Sequence, residues 1–188
     1  MEGIQKDYQK DIKKIIFLAP SGVEKTSFIR KVIKNFEETD FDLKKNEYHF
    51  IYNGEEIKIP VFDIPAGNIN FSVYKKLVNF NSSVVISVYA IDKFESLNYV
   101  TLLSKEIKAE NPKNCKYILL GIKNLEENEN VIKTKSGKKA KKDLNFDEFF
   151  EISDENEDKC KAVFEKAAEL LLNEKNEKKC HGCFNCFK

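Results

Sequence analysis

The stretch from Lys13 to Lys31, reading K-K-I-I-F-L-A-P-S-G-V-E-K-T-S-F-I-R-K, constrains the fold more than any other. Ile15 to Leu18 form an apolar run with the length and branching of a buried strand. The run breaks at Ala19-Pro20-Ser21-Gly22, and a helical pattern follows with Phe28, Ile29, Val32 and Ile33 as its apolar face. Strand, tight loop, Lys-Thr and helix is the layout of a loop that cradles phosphate. Backbone N–H groups and the helix N-terminus make an anion nest, a Lys reaches the outer phosphates, and a hydroxyl ligates Mg²⁺.

Against the pattern G-x-x-x-x-G-K-[ST], Ala19 and Glu24 stand where the two glycines belong. Glycine serves there because the backbone must approach phosphate closely and adopt positive φ. Glu24 adds a Cβ and a negative charge beside the phosphate position. Two like charges about 4 Å apart repel by about 4 kcal/mol at an effective dielectric near 20. The other reading of this stretch is an ordinary strand-turn-helix capped by Ser21.

The rest of the chain adds further matches. S-G-V-E-K-T-S-F-I resembles the S-G-V-G-K-T-S-L-I of Rab-type small GTPases of the Ras superfamily. V-F-D-I-P-A-G-N-I resembles their W-D-T-A-G-Q-E, with Asp63 in the Asp position. V-Y-A-I-D-K-F-E-S-L-N-Y-V resembles V-Y-D-V-T-D-x-E-S-F-x-N-V without a gap, a match that speaks for fold because the segment is structural in the family. L-G-I-K-N-L-E stands where the family has V-G-N-K-x-D-L, and F-F-E-I-S-D-E-N resembles F-x-E-T-S-A-K-N. The resemblance runs from about Lys13 to Leu172.

This resemblance implies GTP or GDP and Mg²⁺ as ligands. It carries the nucleotide over to Ser21, Gly22, Val23, Glu24, Lys25, Thr26, Ser27, Lys123, Ser153 and Asp154, and the metal to Thr26, Asp63 and Thr39. Thr39 is the candidate for the first switch. Several departures bear on chemistry. Ile122 and Leu125 replace the Asn and Asp of the family's N-K-x-D, whose Asp reads guanine, so guanine selectivity is in question. The Gln that orients attacking water has only Gly67 or Asn68 as counterparts, and Pro65 removes a backbone donor. The expected activity is therefore that of a GTP hydrolase that is very slow or inactive. The implied function is a regulator of vesicle traffic with weakened nucleotide binding. Its alternative is a pseudo-GTPase binding module that holds no nucleotide.

At 188 residues one domain is expected over 1–174, followed by a flexible Cys-rich tail over 175–188. The expected fold is α/β: a P-loop NTPase-like three-layer sandwich whose six-stranded, mostly parallel sheet has one antiparallel edge strand. Tyr48–Tyr52, Asn53-Gly54 and Glu56–Phe62 supply that antiparallel hairpin. Further strands are expected over Asn81–Ile91 and Lys116–Ile122, a helix to about Glu110, and an amphipathic helix over Lys159–Asn173. The lysine-rich stretch ending K-T-K-S-G-K-K-A-K-K reads chiefly as a solvated loop and helix face, with acidic lipid or a partner as the other reading.

With a net charge of +1, bulk electrostatic capture of nucleic acid is not expected. Five cysteines without a signal-like N-terminus point to a reducing compartment. Three of them, Cys180, Cys183 and Cys186, crowd the tail, which resembles the lipidated tail of Rab proteins. Lipidation ranks first there, an inert reduced tail second, and a metal site with His181 third. The partners implied are effector or regulatory proteins and, through the tail, the cytosolic face of an internal membrane, with the protein itself monomeric.

Overall fold

The structure is a computed structural model, described here over residues 12–37, 46–64, 80–110, 112–123, 132–153 and 156–173. Its elements are β1 (Lys14–Leu18), α1 (Lys25–Val32), β2 (Glu47–Tyr52), β3 (Glu55–Ile64), β4 (Ser83–Ala90), α2 (Phe94–Ala109), β5 (Lys116–Lys123), α3 (Thr134–Asp143), β6 (Glu148–Ser153) and α4 (Glu157–Leu172). The strands form one six-stranded sheet in the order β2-β3-β1-β4-β5-β6. The β2–β3 pair is antiparallel and the pairings of β1 with β3, β1 with β4, β4 with β5 and β5 with β6 are parallel. The expected α/β sheet with one antiparallel edge strand is what the chain forms.

Strand residues alternate between two apolar layers, as the two-residue repeat of a strand requires. Ile15 and Phe17 of β1, with Val84, Ile86 and Val88 of β4 and Ile118, Leu120 and Ile122 of β5, face α1 and α4. There Phe17, Phe28 and Phe164 pack with ring centroids 5.3–6.0 Å apart. Ile16 and Leu18, with Val85, Tyr89, Tyr117 and Leu119, face α2 and α3. Both faces of the central strands are thus covered, which is why β4 is buried along its whole length.

The hairpin turns at Asn53 and Gly54, both at positive φ (53° and 83°), the geometry that favours Asn-Gly. β3 extends beyond the expected end, to Ile64. α4 begins at Glu157, capped by the Asn156 side chain accepting from the Lys159 N–H at 2.9 Å. Its far end is tied to β2 by a hydrogen bond from the Tyr52 hydroxyl to Asn173. In the lysine-rich stretch α3 exposes Lys135, Lys138, Lys139 and Lys142 and buries only Gly137, so the solvated-face expectation holds for this helix.

Beneath α3 the packing around Tyr89 is tight. The Tyr89 hydroxyl donates to Glu151 Oε1 at 2.8 Å, and its ring lies over Gly121, its partner on β5. A Cβ on Gly121 would sit 2.7 Å from Tyr89, and one on Gly137 would sit 2.6 Å from both Tyr89 and Phe149. Burial, followed by the Glu151 contact, raises the Tyr89 phenol pKa far above its ordinary value.

Candidate nucleotide site

Parallel register brings the site together. β1 pairs Phe17 with Asp63 of β3, so the carboxyl ends of the two strands lie side by side. Asp63 has the same parity as Ile59 and Val61, which face the α1 layer. The Asp63 carboxylate therefore points beneath the first turn of α1, with only 5% of the residue exposed. There the Thr26 hydroxyl donates to Oδ2 at 2.5 Å and the Lys25 ammonium closes on Oδ1 as a buried ion pair. Two side chains from the phosphate-loop pattern and one from a strand 37 residues away thus meet at one carboxylate.

The loop between them is open. Gly22 has φ of 76°, the left-handed conformation that glycine takes without strain, so the retained glycine is where the backbone needs it. Ser21, Gly22, Glu24 and Ser27 are exposed, and Val23 leans onto the α1-side core. α1 starts at Lys25, with Glu24 as its N-cap residue and no capping bond from that side chain. Ser21 is therefore not the cap of this helix, and Glu24 points into solvent instead of filling the loop. The Lys25 N–H folds back on the Val23 carbonyl at 2.7 Å.

These residues fit the phosphate and metal half of a nucleotide site. Thr26 and Asp63 place hard oxygen donors 2.5 Å apart beside a positive-φ loop, the donor chemistry Mg²⁺ takes. The base half fits less well. Lys123 and Ser153 stand opposite each other at the ends of β5 and β6. Ile122, at the place of the Asn of N-K-x-D, is fully buried in the α1–α4 core and is a packing residue. Asp154, Thr39, Gly67, Asn68, Leu125 and the three tail cysteines lie outside the described residues.

Sequence reasoning missed one contributor. Lys93, in the turn between β4 and α2, donates to the Gly22 carbonyl at 2.7 Å across 71 residues of chain. The only local signal was the Glu95-Ser96-Leu97 match beside it. Ser96 is buried and holds the turn: its Oγ accepts from the Ala90 N–H at 3.0 Å and lies 2.5 Å from the Lys93 carbonyl. Among the described residues no group of three or more His, Cys, Asp or Glu could hold a metal by itself. No described helix is long and apolar enough to cross a membrane.

Comparison with known proteins agrees with this geometry. The chain is 29% identical over 172 residues to Ras-related protein Rab-3C of Bos taurus, covering 87% of this chain and 73% of that one. It is 29% identical over 173 residues to Ras-related protein Rab-3A of Homo sapiens, covering 87% and 76%. GTP-binding protein Rab-3D of Rattus norvegicus is similar at 28% identity over 172 residues, covering 87% and 76%. The Ras family model matches residues 14–173, from the first residue of β1 to the residue after α4. With that match over most of its length, this chain belongs to the Ras family, as a divergent Rab-like member.

Proposed function

We propose that this protein is a small GTPase of membrane traffic that binds a guanine nucleotide with Mg²⁺, weakly, and hydrolyses it very slowly. The observation that carries the reading is the meeting of Lys25, Thr26 and Asp63 under the start of α1. Thr26 and Asp63 would hold Mg²⁺, which when bound neutralises charge on the outer phosphates. Lys25 would turn from Asp63 to phosphate. Val23 and Gly22 would supply backbone N–H groups, and Lys123 and Ser153 would flank the base. Slow hydrolysis follows from the missing Gln after Asp63: neither Gly67 nor Asn68 reaches as Gln does to position water. Effector and regulatory proteins are the partners expected of such a switch.

A second reading, a pseudo-GTPase binding module, draws support from Ile122. A buried isoleucine cannot hydrogen-bond a base, and its burial stabilises the empty fold. The nucleotide content of the purified protein separates the two. After denaturation and chromatography, stoichiometric GDP supports the switch; where none is carried, titration calorimetry with GDP and Mg²⁺ decides, saturable binding supporting the switch and no binding supporting the module.

Membrane attachment is assigned to the tail. One lipid chain binds membranes only marginally, with an association constant of about 10⁴ M⁻¹, so stable attachment takes a second signal. Cys180, Cys183 and Cys186 offer several acyl or prenyl sites beside Lys175, Lys178, Lys179 and Lys188. Replacing all three cysteines by Ser is expected to release the protein from membranes to the cytosol. A triple variant that still sediments with membranes refutes the assignment, as does a wild type that carries zinc and no lipid by mass spectrometry.

A further inference from the structure

β1 and β4 are adjacent parallel strands, and the chain leaves them on opposite sides of the sheet, toward α1 and α2. The crevice above such a divergence is where open α/β sheets bind ligands. The Lys93 side chain crosses it here. Lys93 Nζ reaches from the β4–α2 turn to the Gly22 carbonyl at 2.7 Å, and a Cβ built on Gly22 would come within 3.3 Å of that nitrogen. The approach is close, and the φ of 76° on the loop side is what favours glycine there.

The turn that carries Lys93 is well anchored. Its N–H donates to the Ala90 carbonyl at 3.1 Å, Ser96 N–H returns to the Lys93 carbonyl at 3.0 Å, and Ile91 N–H is bonded to Ile122 at 2.9 Å. The lysine stem therefore starts from a fixed base. What it grips decides the loop's donors. In a trans peptide the carbonyl and the following N–H point in opposite directions, so drawing the Gly22 carbonyl toward Lys93 aims the Val23 N–H the other way. Two residues on, the Lys25 N–H is folded back on the Val23 carbonyl. The Gly22–Val23 peptide is thus the hinge of the anion nest, and it carries the Lys93 contact. An ammonium has three donors, and its charge lies beside a loop that bears the carboxylate of Glu24.

We propose that Lys93 is a positioning residue of the nucleotide site: it clamps the Gly22 carbonyl, presets the phosphate loop, and brings a positive charge that offsets Glu24. The family's motifs assign no such part to this position, which in the matching V-Y-D-V-T-D-x-E-S-F pattern is acidic. The proposal rests on the nucleotide reading above only for its effect on ligand; the clamp itself is a property of the free protein.

The test compares the full-length wild type with Lys93→Met and Lys93→Arg by hydrogen exchange, thermal melting and calorimetry. Without nucleotide, hydrogen exchange of the 19–24 segment is expected to be about tenfold faster in Lys93→Met, the effect of losing one charge-assisted hydrogen bond, and to return toward wild type in Lys93→Arg. A thermal melt of each protein gives the Tm, expected to be unchanged within a degree or so because Lys93 is at the surface; a loss of Tm that Arg does not rescue would assign it a merely structural role. With GDP and Mg²⁺ as the probe, titration calorimetry is expected to show about tenfold weaker binding by Lys93→Met and recovery in Lys93→Arg. Equal exchange rates in wild type and Lys93→Met overturn the clamp, whatever the nucleotide result. Faster exchange with equal GDP affinities overturns its role in the site. Faster exchange in a wild-type background that binds no GDP supports the clamp and refutes the nucleotide reading instead.

Discussion

Asp63 holds two consecutive residues of α1 at once, accepting from the Thr26 hydroxyl at 2.5 Å and pairing with the Lys25 ammonium, all but buried from water. The charges are compensated as long as both stay. For Lys25 to serve a phosphate, the ion pair must open, and only a comparable negative charge can draw it away. The nucleotide-free protein therefore resists its own ligand.

Asp63→Asn keeps the shape and the acceptor for Thr26 while removing the charge. Breaking a buried pair from one side leaves an uncompensated ion and costs about 3 kcal/mol. We expect chemical denaturation of the nucleotide-free variant to show a loss of that order. Because Lys25 is then freed, GDP binding in the absence of Mg²⁺ is expected to tighten, and the stimulation by Mg²⁺ to fall. A variant as stable as wild type would mean that the ion pair is not formed in solution.

Glu24 stands at the N-cap of α1, exposed and without a capping bond. Its side chain has room to swing from the loop, so the obstacle it presents is charge more than volume. Glu24→Gly is expected to raise GTP affinity by about tenfold, equivalent to about 1.4 kcal/mol. Titration calorimetry on both proteins checks this, and equal affinities would remove Glu24 as the cause of weak binding.

The fold was legible because its signals are local. Ile15–Leu18, the Asn53-Gly54 turn and the β-branched run of β4 each read correctly from a few neighbouring residues. The β3 overrun to Ile64 was not visible, because Ile64 is held by pairing with Leu18 on another strand. At the site, Lys25, Thr26 and Asp63 could be nominated from a pattern, but their contact depends on the register of Phe17 with Asp63. Lys93 could not be nominated at all. A lysine in a turn looks solvated in any sequence, and its partner is a backbone carbonyl, which leaves no trace in residue identity. Ile122 shows the opposite case: its departure from the family pattern was plain, but its burial in the core explains what the residue gains.

Gly121 is a packing requirement instead of a conformational one, since its place on β5 lies directly under the Tyr89 ring. Gly121→Ala would put a methyl 2.7 Å from the Tyr89 phenol and 3.1 Å from Glu151, in a layer also closed by α3. Overpacking of this kind costs about 1–3 kcal/mol. Urea unfolding is expected to show a loss in that range with an unchanged m-value. Gly121→Ala combined with Tyr89→Leu should lose less than the sum of the single changes, because the leucine vacates the space the new methyl needs. Strict additivity in the double-mutant cycle would show that the two residues do not compete.

Alkaline stability gives an independent check on the α1–α4 core. Tyr48 is buried against Phe164, with ring centroids 5.0 Å apart, and burial followed by the charge of Glu165 raises its pKa from 10.0 to about 12. Its phenol thus keeps its proton in the folded chain at pH values where the unfolded chain has lost it. Between pH 10 and about 12 the unfolded state binds fewer protons than the native state, so stability falls as pH rises. Below pH 10 the contribution is fully present and constant. A tenfold difference in proton affinity between the folded and unfolded chain is worth about 1.4 kcal/mol, so Tyr48→Phe, which removes the titrating group, is expected to be more resistant than wild type by roughly 2 kcal/mol near pH 12. At pH 7 the two proteins should be nearly equal. Denaturation midpoints measured from pH 7 to pH 12 decide it. Parallel curves for wild type and Tyr48→Phe would mean that this phenol reaches water and that the β2 end of the core is looser than its packing implies.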